Sequence, residues 1–179
     1  MTGSKSVLPA LSVVIGGARS GKSRFAEGLA GKSKQIQRYI ATAQAWDDEM
    51  RARIALHQAD RGANWITVEA PLRLDAALGA AQTGEVVLVD CATLWLSNHL
   101  LAEHDLAAEC ANLLTALATC PAPVVIVTNE VGQGIVPDNA LARRFRDAQG
   151  RLNQQLAAQA GLAVLVAAGL PVVLKGALP

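Results

Sequence analysis

Aromatic residues are scarce: three Trp, two Phe and one Tyr make up 3% of the 179 residues. A surface that stacks the bases of single-stranded nucleic acid needs more of them. Charge of either sign in excess is also missing. Sixteen basic and fifteen acidic residues leave a net charge of +1, so there is no electrostatic footprint for a nucleic-acid backbone or an anionic membrane. Cysteine is limited to Cys91, Cys110 and Cys120, an odd number without metal-ligand spacing. They read as small buried hydrophobes in a reducing compartment. No apolar run is long enough to span a bilayer; the longest, GLAVLVAAGLPVVLKG, is broken by Gly169 and Pro171 and reads as two strands. The polar start MTGSKSVLPA lacks the apolar segment of a secretory signal. The expectation is a cytoplasmic protein in which residues 1–10 are a flexible extension.

What is present is apolar. Hydrophobic residues reach 51%, mostly Ala, Leu and Val, against 17% charged, which marks a globular chain of one domain, 11–179. Apolar runs alternate with helical patterns. LSVVI (11–15), RYIATA (38–43), WITVEA (65–70), EVVLVDC (85–91) and PVVIVTNE (123–130) read as strands. Between them SRFAEGLAG, DDEMRARIALHQADRG, PLRLDAALGAA, TLWLSNHLL, DLAAECANLLTALAT and ALARRFRDAQGRLNQQLAAQAG read as helices. Fully apolar strands in such alternation predict an α/β fold, a mostly parallel sheet with helices on both faces.

The segment GGARSGKS, residues 16–23, stands between the first strand and the first helix. Gly16, Gly21, Lys22 and Ser23 satisfy the P-loop pattern in its proper context, and predict a P-loop NTPase fold of RecA-like type. Its glycines let backbone N–H groups turn toward anionic oxygens, and the helix start aims its positive end at them. Gly16, Gly17, Ala18, Arg19, Ser20, Gly21, Lys22 and Ser23 are therefore the expected nucleotide contacts. Lys22 bridges the outer phosphates and Ser23 holds Mg²⁺. Asp90 ends the strand EVVLVD, where such a fold sets a second Mg²⁺ carboxylate; the alternative is a helix cap for the segment beginning near Thr93. The strand ending Thr128-Asn129-Glu130 carries no N-K-x-D element, which argues against a signalling GTPase.

His57 shares a helical face with Met50 and Ile54. Periodicity alone favours a histidine packed on an apolar stripe; the sharper reading is a nucleophile that attacks a nucleotide's phosphorus. His99 and His104 read as surface or helix-end residues. Arg143, Arg144 and Arg146 cluster on one helix and either meet phosphate or form a solvated face beside Asp147. Glu130 is a candidate to orient a hydroxyl or assist a metal, with Gly132 and Gly134 shaping its loop at a strand's carboxyl end. Asp47, Asp48 and Glu49 read as a helix start first and a metal site second, and Trp46 and Trp65 as packing residues.

Taken in order, GGARSGKS, YIATAQAWDDEMRARIALH, TNEVGQGIVPDNALARRFRDAQGRLNQQLA and VAAGLPVVLKG resemble the bifunctional adenosylcobinamide kinase / adenosylcobinamide-phosphate guanylyltransferase family, from about Leu11 to the C-terminus. The P-loop is weakly specific; the other segments are far more so. The resemblance implies two reactions of cobalamin biosynthesis, with ATP or GTP and Mg²⁺. A nucleoside triphosphate phosphorylates adenosylcobinamide. GTP then gives GMP to an enzyme histidine, and the group passes to adenosylcobinamide phosphate to give adenosylcobinamide-GDP. The family's R-I-x-x-H histidine falls on His57, which makes it and Lys22 the implied catalytic pair. Some relatives carry a second, adjacent histidine where this chain has Leu56. A homotrimer is implied as well. The competing classes are a P-loop kinase of another small metabolite and a non-catalytic nucleotide-sensing module.

Overall fold

The computed structural model describes residues 8–33, 35–43 and 65–179. Among the described residues, seven strands form one sheet: β1 (Leu11–Gly16), β2 (Ile36–Ala41), β3 (Trp65–Glu69), β4 (Glu85–Asp90), β5 (Val124–Asn129), β6 (Leu162–Ala167) and β7 (Leu170–Lys175). Among the same residues, five helices accompany them: α1 (Lys22–Gly31), α2 (Leu74–Gly79), α3 (Ala92–Leu101), α4 (Leu106–Thr119) and α5 (Ala140–Gln159). Every strand read from the apolar runs is present, displaced by at most two residues at an end. The helix expected over DDEMRARIALHQADRG lies outside the described residues.

The strand order is β3-β2-β4-β5-β1-β6-β7. All pairings are parallel except β6 with β7. Strands without polar alternation are explained by burial on both faces. Val13, Ile15, Val87, Val89, Val124 and Ile126 face one core, closed by Leu74, Trp95, Leu96, Leu113, Leu152 and Leu156 of α2 to α5. The residues between them, Val14, Val86, Leu88, Val125 and Val127, face a second core closed by Ala26, Leu29 and Ala30 of α1. Each Val, Leu or Ile among them contributes about 1.5–3 kcal/mol on burial. Leu8 packs on the second core, and Ala10 accepts a hydrogen bond from the Val124 N–H at 2.9 Å.

The sheet's far end is clamped by charge. Arg38 binds Glu85 through two bonds of 2.8 and 3.0 Å, joining β2 to the start of β4. Asp105 caps α4 and Asn139 caps α5 through side-chain bonds to backbone N–H groups, as their residue types favour. All three cysteines are free, with Cys91 and Cys110 buried; burial pushes the Cys110 thiol up to about 11. No helix among the described residues is long and apolar enough to cross a membrane.

Candidate functional site

Parallel strands bring their carboxyl ends to one edge, and the chemistry-bearing residues collect there. Gly16 is paired with Asn129 across β1 and β5, and with Val166 across β6. Residues 17–21 then turn, and α1 begins at Lys22. Two positions in this turn adopt left-handed backbone: Arg19 at φ 55° and Gly21 at φ 91°. Gly21 takes that conformation without strain. A Cβ there would also press on Gly169 Cα at 3.2 Å, and a Cβ at Gly16 would overlap Ser20 Oγ and meet the Val166 carbonyl at 2.7 Å. The loop therefore needs glycine at both places.

The wall behind the loop is the β6–β7 hairpin tip. Ala168 and Gly169, at φ 51° and 79°, make the two-residue turn that suits the twist of paired strands. The Gly169 N–H donates to the Ser20 carbonyl at 2.8 Å. The hairpin tip thus braces the loop, a role that sequence reasoning missed. A cavity of about 500 Å³ opens here, lined by residues 17–20, 165–168 and Glu130, Val131, Gln133 and Gly134. Lys22 Nζ donates to the Gly17 carbonyl at 3.1 Å. Ser20 Oγ is buried with no hydrogen-bond partner among the described residues, a donor suited to an incoming oxygen. Ser23 lies in the first turn of α1.

Asp90 ends β4 on the same edge. Its Oδ2 accepts from the Tyr39 hydroxyl at 2.5 Å, which fixes the carboxylate from β2. The helix-cap alternative does not hold: α3 starts at Ala92 with Cys91 as N-cap and no side-chain cap bond. Thr42 Oγ1 donates to the Cys91 carbonyl at 2.8 Å and accepts the Cys91 N–H at 2.7 Å, holding the backbone beside Asp90. Burial first, and the Asp90 charge second, raise the Cys91 thiol above its ordinary range. Hard oxygens on Ser23 and Asp90 are a donor set that fits Mg²⁺.

Beneath the β5 end runs a buried polar network. Thr128 Oγ1 donates to Asn153 Oδ1 at 2.7 Å, and Gln149 Nε2 donates to both, at 2.9 and 2.8 Å. Asn153 Nδ2 donates to the Asn129 carbonyl, and the Asn129 N–H donates to Thr93 Oγ1. This ties β5, α3 and α5 together. The signal in the sequence was the polar pair Gln149 and Asn153 at one helical spacing on the α5 face that also buries Leu152 and Leu156.

Glu130 lines the cavity, and its Oε1 accepts the Gly132 N–H at 2.5 Å. Arg143 is drawn into the preceding loop, donating to the Pro137 and Asp138 carbonyls at 2.9 and 2.6 Å. Arg146 pairs with Asp147 at 3.2 Å, and Arg144 is exposed on α5. His57 lies outside the described residues, as do Trp46, Asp47, Asp48 and Glu49. His99 is in the last turn of α3 as expected, but it is buried rather than at the surface.

A model of the family "Cobinamide kinase / cobinamide phosphate guanyltransferase" matches residues 12–174. The bifunctional adenosylcobalamin biosynthesis protein CobP of Pseudomonas aeruginosa is 48% identical over 167 residues, covering 92% of this chain and 96% of its own. The bifunctional adenosylcobalamin biosynthesis protein CobU of Escherichia coli is 48% identical over 179 residues, covering 91% and 98%. Among solved structures, a Pyrococcus horikoshii OT3 protein shares the fold at TM-score 0.52 and 9% identity, covering 96% of this chain and 89% of that one.

Proposed function

This chain belongs to the cobinamide kinase / cobinamide phosphate guanyltransferase family, and we propose that one triphosphate cradle, residues 16–23, serves both of the family's reactions. The protein is a bifunctional enzyme of cobalamin biosynthesis, a kinase of adenosylcobinamide and a guanylyltransferase to adenosylcobinamide phosphate. The observation that carries the single-cradle reading is the shared edge: residues 17–20 line one cavity while Asp90, pinned by Tyr39, ends β4 on the same side of the sheet. Both reactions displace a phosphate oxygen, and positioning does most of the work in such transfers.

In the kinase step the substrate hydroxyl attacks the γ-phosphorus and a nucleoside diphosphate leaves. Lys22 exchanges its bond to the Gly17 carbonyl for the outer phosphate oxygens, and Ser20 gains an acceptor. Ser23 and Asp90 would hold Mg²⁺, which would neutralise charge on the phosphates. Glu130, on the cavity wall, orients the attacking hydroxyl; Arg143 shapes the adjoining loop, and Arg144 remains available to an anionic substrate. In the second step a neutral nitrogen of His57 attacks the α-phosphorus of GTP, the α–β link breaks, and pyrophosphate leaves. An oxygen of adenosylcobinamide phosphate then displaces His57 from the phosphoramidate, giving adenosylcobinamide-GDP and restoring the imidazole.

Two finer points belong to the same reading. A RecA-like arrangement is supported by β5 standing between the loop strand β1 and the Asp90 strand β4. Assembly into a homotrimer is supported by β7, where Leu170, Val172, Val173 and Leu174 are all exposed. The test of the central assignment is His57→Ala. Guanylyl transfer should vanish while adenosylcobinamide phosphorylation keeps most of its rate; equal loss of both, with an unchanged fold, overturns the role of His57.

A further inference from the structure

The corner between α3 and α4 gathers three groups that the phosphate chemistry leaves unused. His99 stands in the last turn of α3, His104 in the connecting turn and Glu109 in the first turn of α4. One ligand atom from each lies within 4.8 Å of the others. The two Nδ1 atoms are 2.9 Å apart, and Glu109 Oε2 is 4.0 Å from His99 Nδ1. Ligand atoms that share one ion at about 2.0–2.1 Å stand ~3–4 Å from one another, so a small rotation of Glu109 completes the set.

The tautomer is fixed by the fold. His99 Nε2 lies 3.1 Å from the Leu72 carbonyl. A carbonyl only accepts, so Nε2 carries the proton and Nδ1 turns its lone pair to the cluster. Metal-binding histidines characteristically donate their other N–H to such an acceptor. Trp95 Nε1 donates to the same carbonyl at 3.0 Å, and its ring packs on the imidazole at 4.6 Å between centroids. The ring is therefore held in place before any ligand arrives. His99 is 2% exposed, so its lone pair faces the cluster and not solvent. Rival partners are engaged elsewhere: Asp105 accepts from the Ala107 and Ala108 N–H groups, and Arg73 is bound to Asp75 at 2.9 Å.

We propose that His99, His104 and Glu109 form a site for a divalent transition ion of the Zn²⁺ class, separate from the Mg²⁺ of the phosphate cradle. Two imidazole nitrogens with one carboxylate select such an ion, whereas Ser23 and Asp90 offer only the hard oxygens that suit Mg²⁺. Binding needs only a tautomer change within the pair. His104, which donates its Nδ1 proton to His99 in the ion-free pair, moves to the Nε2–H tautomer and frees its Nδ1. The fourth position stays open to water. The ion bridges the two helices at a corner whose turn includes Glu103 at φ 58°, and α3 is the helix that begins directly after the Asp90 strand.

The test is titration of the full-length protein, free of nucleotide and Mg²⁺, with Co²⁺ as a coloured probe and Zn²⁺ as competitor. One equivalent of Co²⁺ should give visible ligand-field bands without a thiolate charge-transfer band, and Zn²⁺ should displace it. His104→Gln keeps a side chain able to hydrogen-bond His99, and Glu109→Gln keeps the shape; each should weaken Co²⁺ binding at least tenfold and abolish the rise in Tm that Zn²⁺ gives the parent protein. His57→Gln should bind Co²⁺ as the parent does. Absence of saturable binding, a thiolate band, or affinity unchanged in both His104→Gln and Glu109→Gln overturns the proposal.

Discussion

The Lys22 ammonium donates to the Gly17 carbonyl, and the proposed function requires it to exchange that bond for phosphate oxygens. Lys22→Ala should therefore lower both the kinase and the guanylyl-transfer rates, each by roughly 100-fold or more, while Tm stays close to the parent value. Loss of one activity alone would mean two separate cradles. At the opposite end of the sheet the Arg38 guanidinium, through its hydrogen bonds, holds the Glu85 carboxyl below the usual carboxylate range against the opposing effect of burial. A depressed folded pKa gives stability that is present above the unfolded value and lost as pH falls through the folded one. Glu85→Gln should cost about 2–3 kcal/mol near neutrality. In urea melts the gap between parent and variant should narrow below about pH 4. A gap that is constant from pH 7 to 3 would contradict the pairing.

At the scale of elements, the loop depends on what stands behind it. A side chain at Gly16 would meet the Val166 carbonyl of β6, and one at Gly21 would meet Gly169 of the hairpin tip. A methyl group at Gly16 meets a movable serine on one side but fixed backbone on the other. Gly16→Ala should weaken nucleotide binding at least tenfold, read by calorimetry, with a smaller loss of Tm. The strands and helices were legible because burial on both faces leaves unbroken apolar runs, and because Asp105 and Asn139 mark helix starts. The placing of residues 17–21 between β1 and α1, and of Asp90 at the end of β4, was legible because the apolar runs stop there. Tyr39, Thr42 and the Gly169 turn were not, since their roles arise from contacts between segments far apart in the chain. His99 misled for a related reason: its burial is set by Trp95 and the distant Leu72 carbonyl, which no local pattern displays.

For the whole molecule, two surfaces matter. β7 is an edge strand whose Leu170, Val172 and Leu174 recur at a spacing of two and remain exposed at 69%, 50% and 58%. Such a stripe on an open sheet edge invites pairing with another copy. The double variant Val172→Glu with Leu174→Glu should reduce the molecular mass in light scattering to that of a monomer, with helix content unchanged; an assembly that survives it uses another surface. The second is the carboxyl edge, where the single-cradle proposal requires attack at two different phosphorus atoms. The most direct measurement is incubation of the protein with α-labelled GTP and Mg²⁺, without corrinoid, followed by mapping of the label. The single-cradle reading predicts pyrophosphate release and one acid-labile label on His57, absent in both His57→Ala and Lys22→Ala. A label on another residue, or label retained in Lys22→Ala, would contradict it.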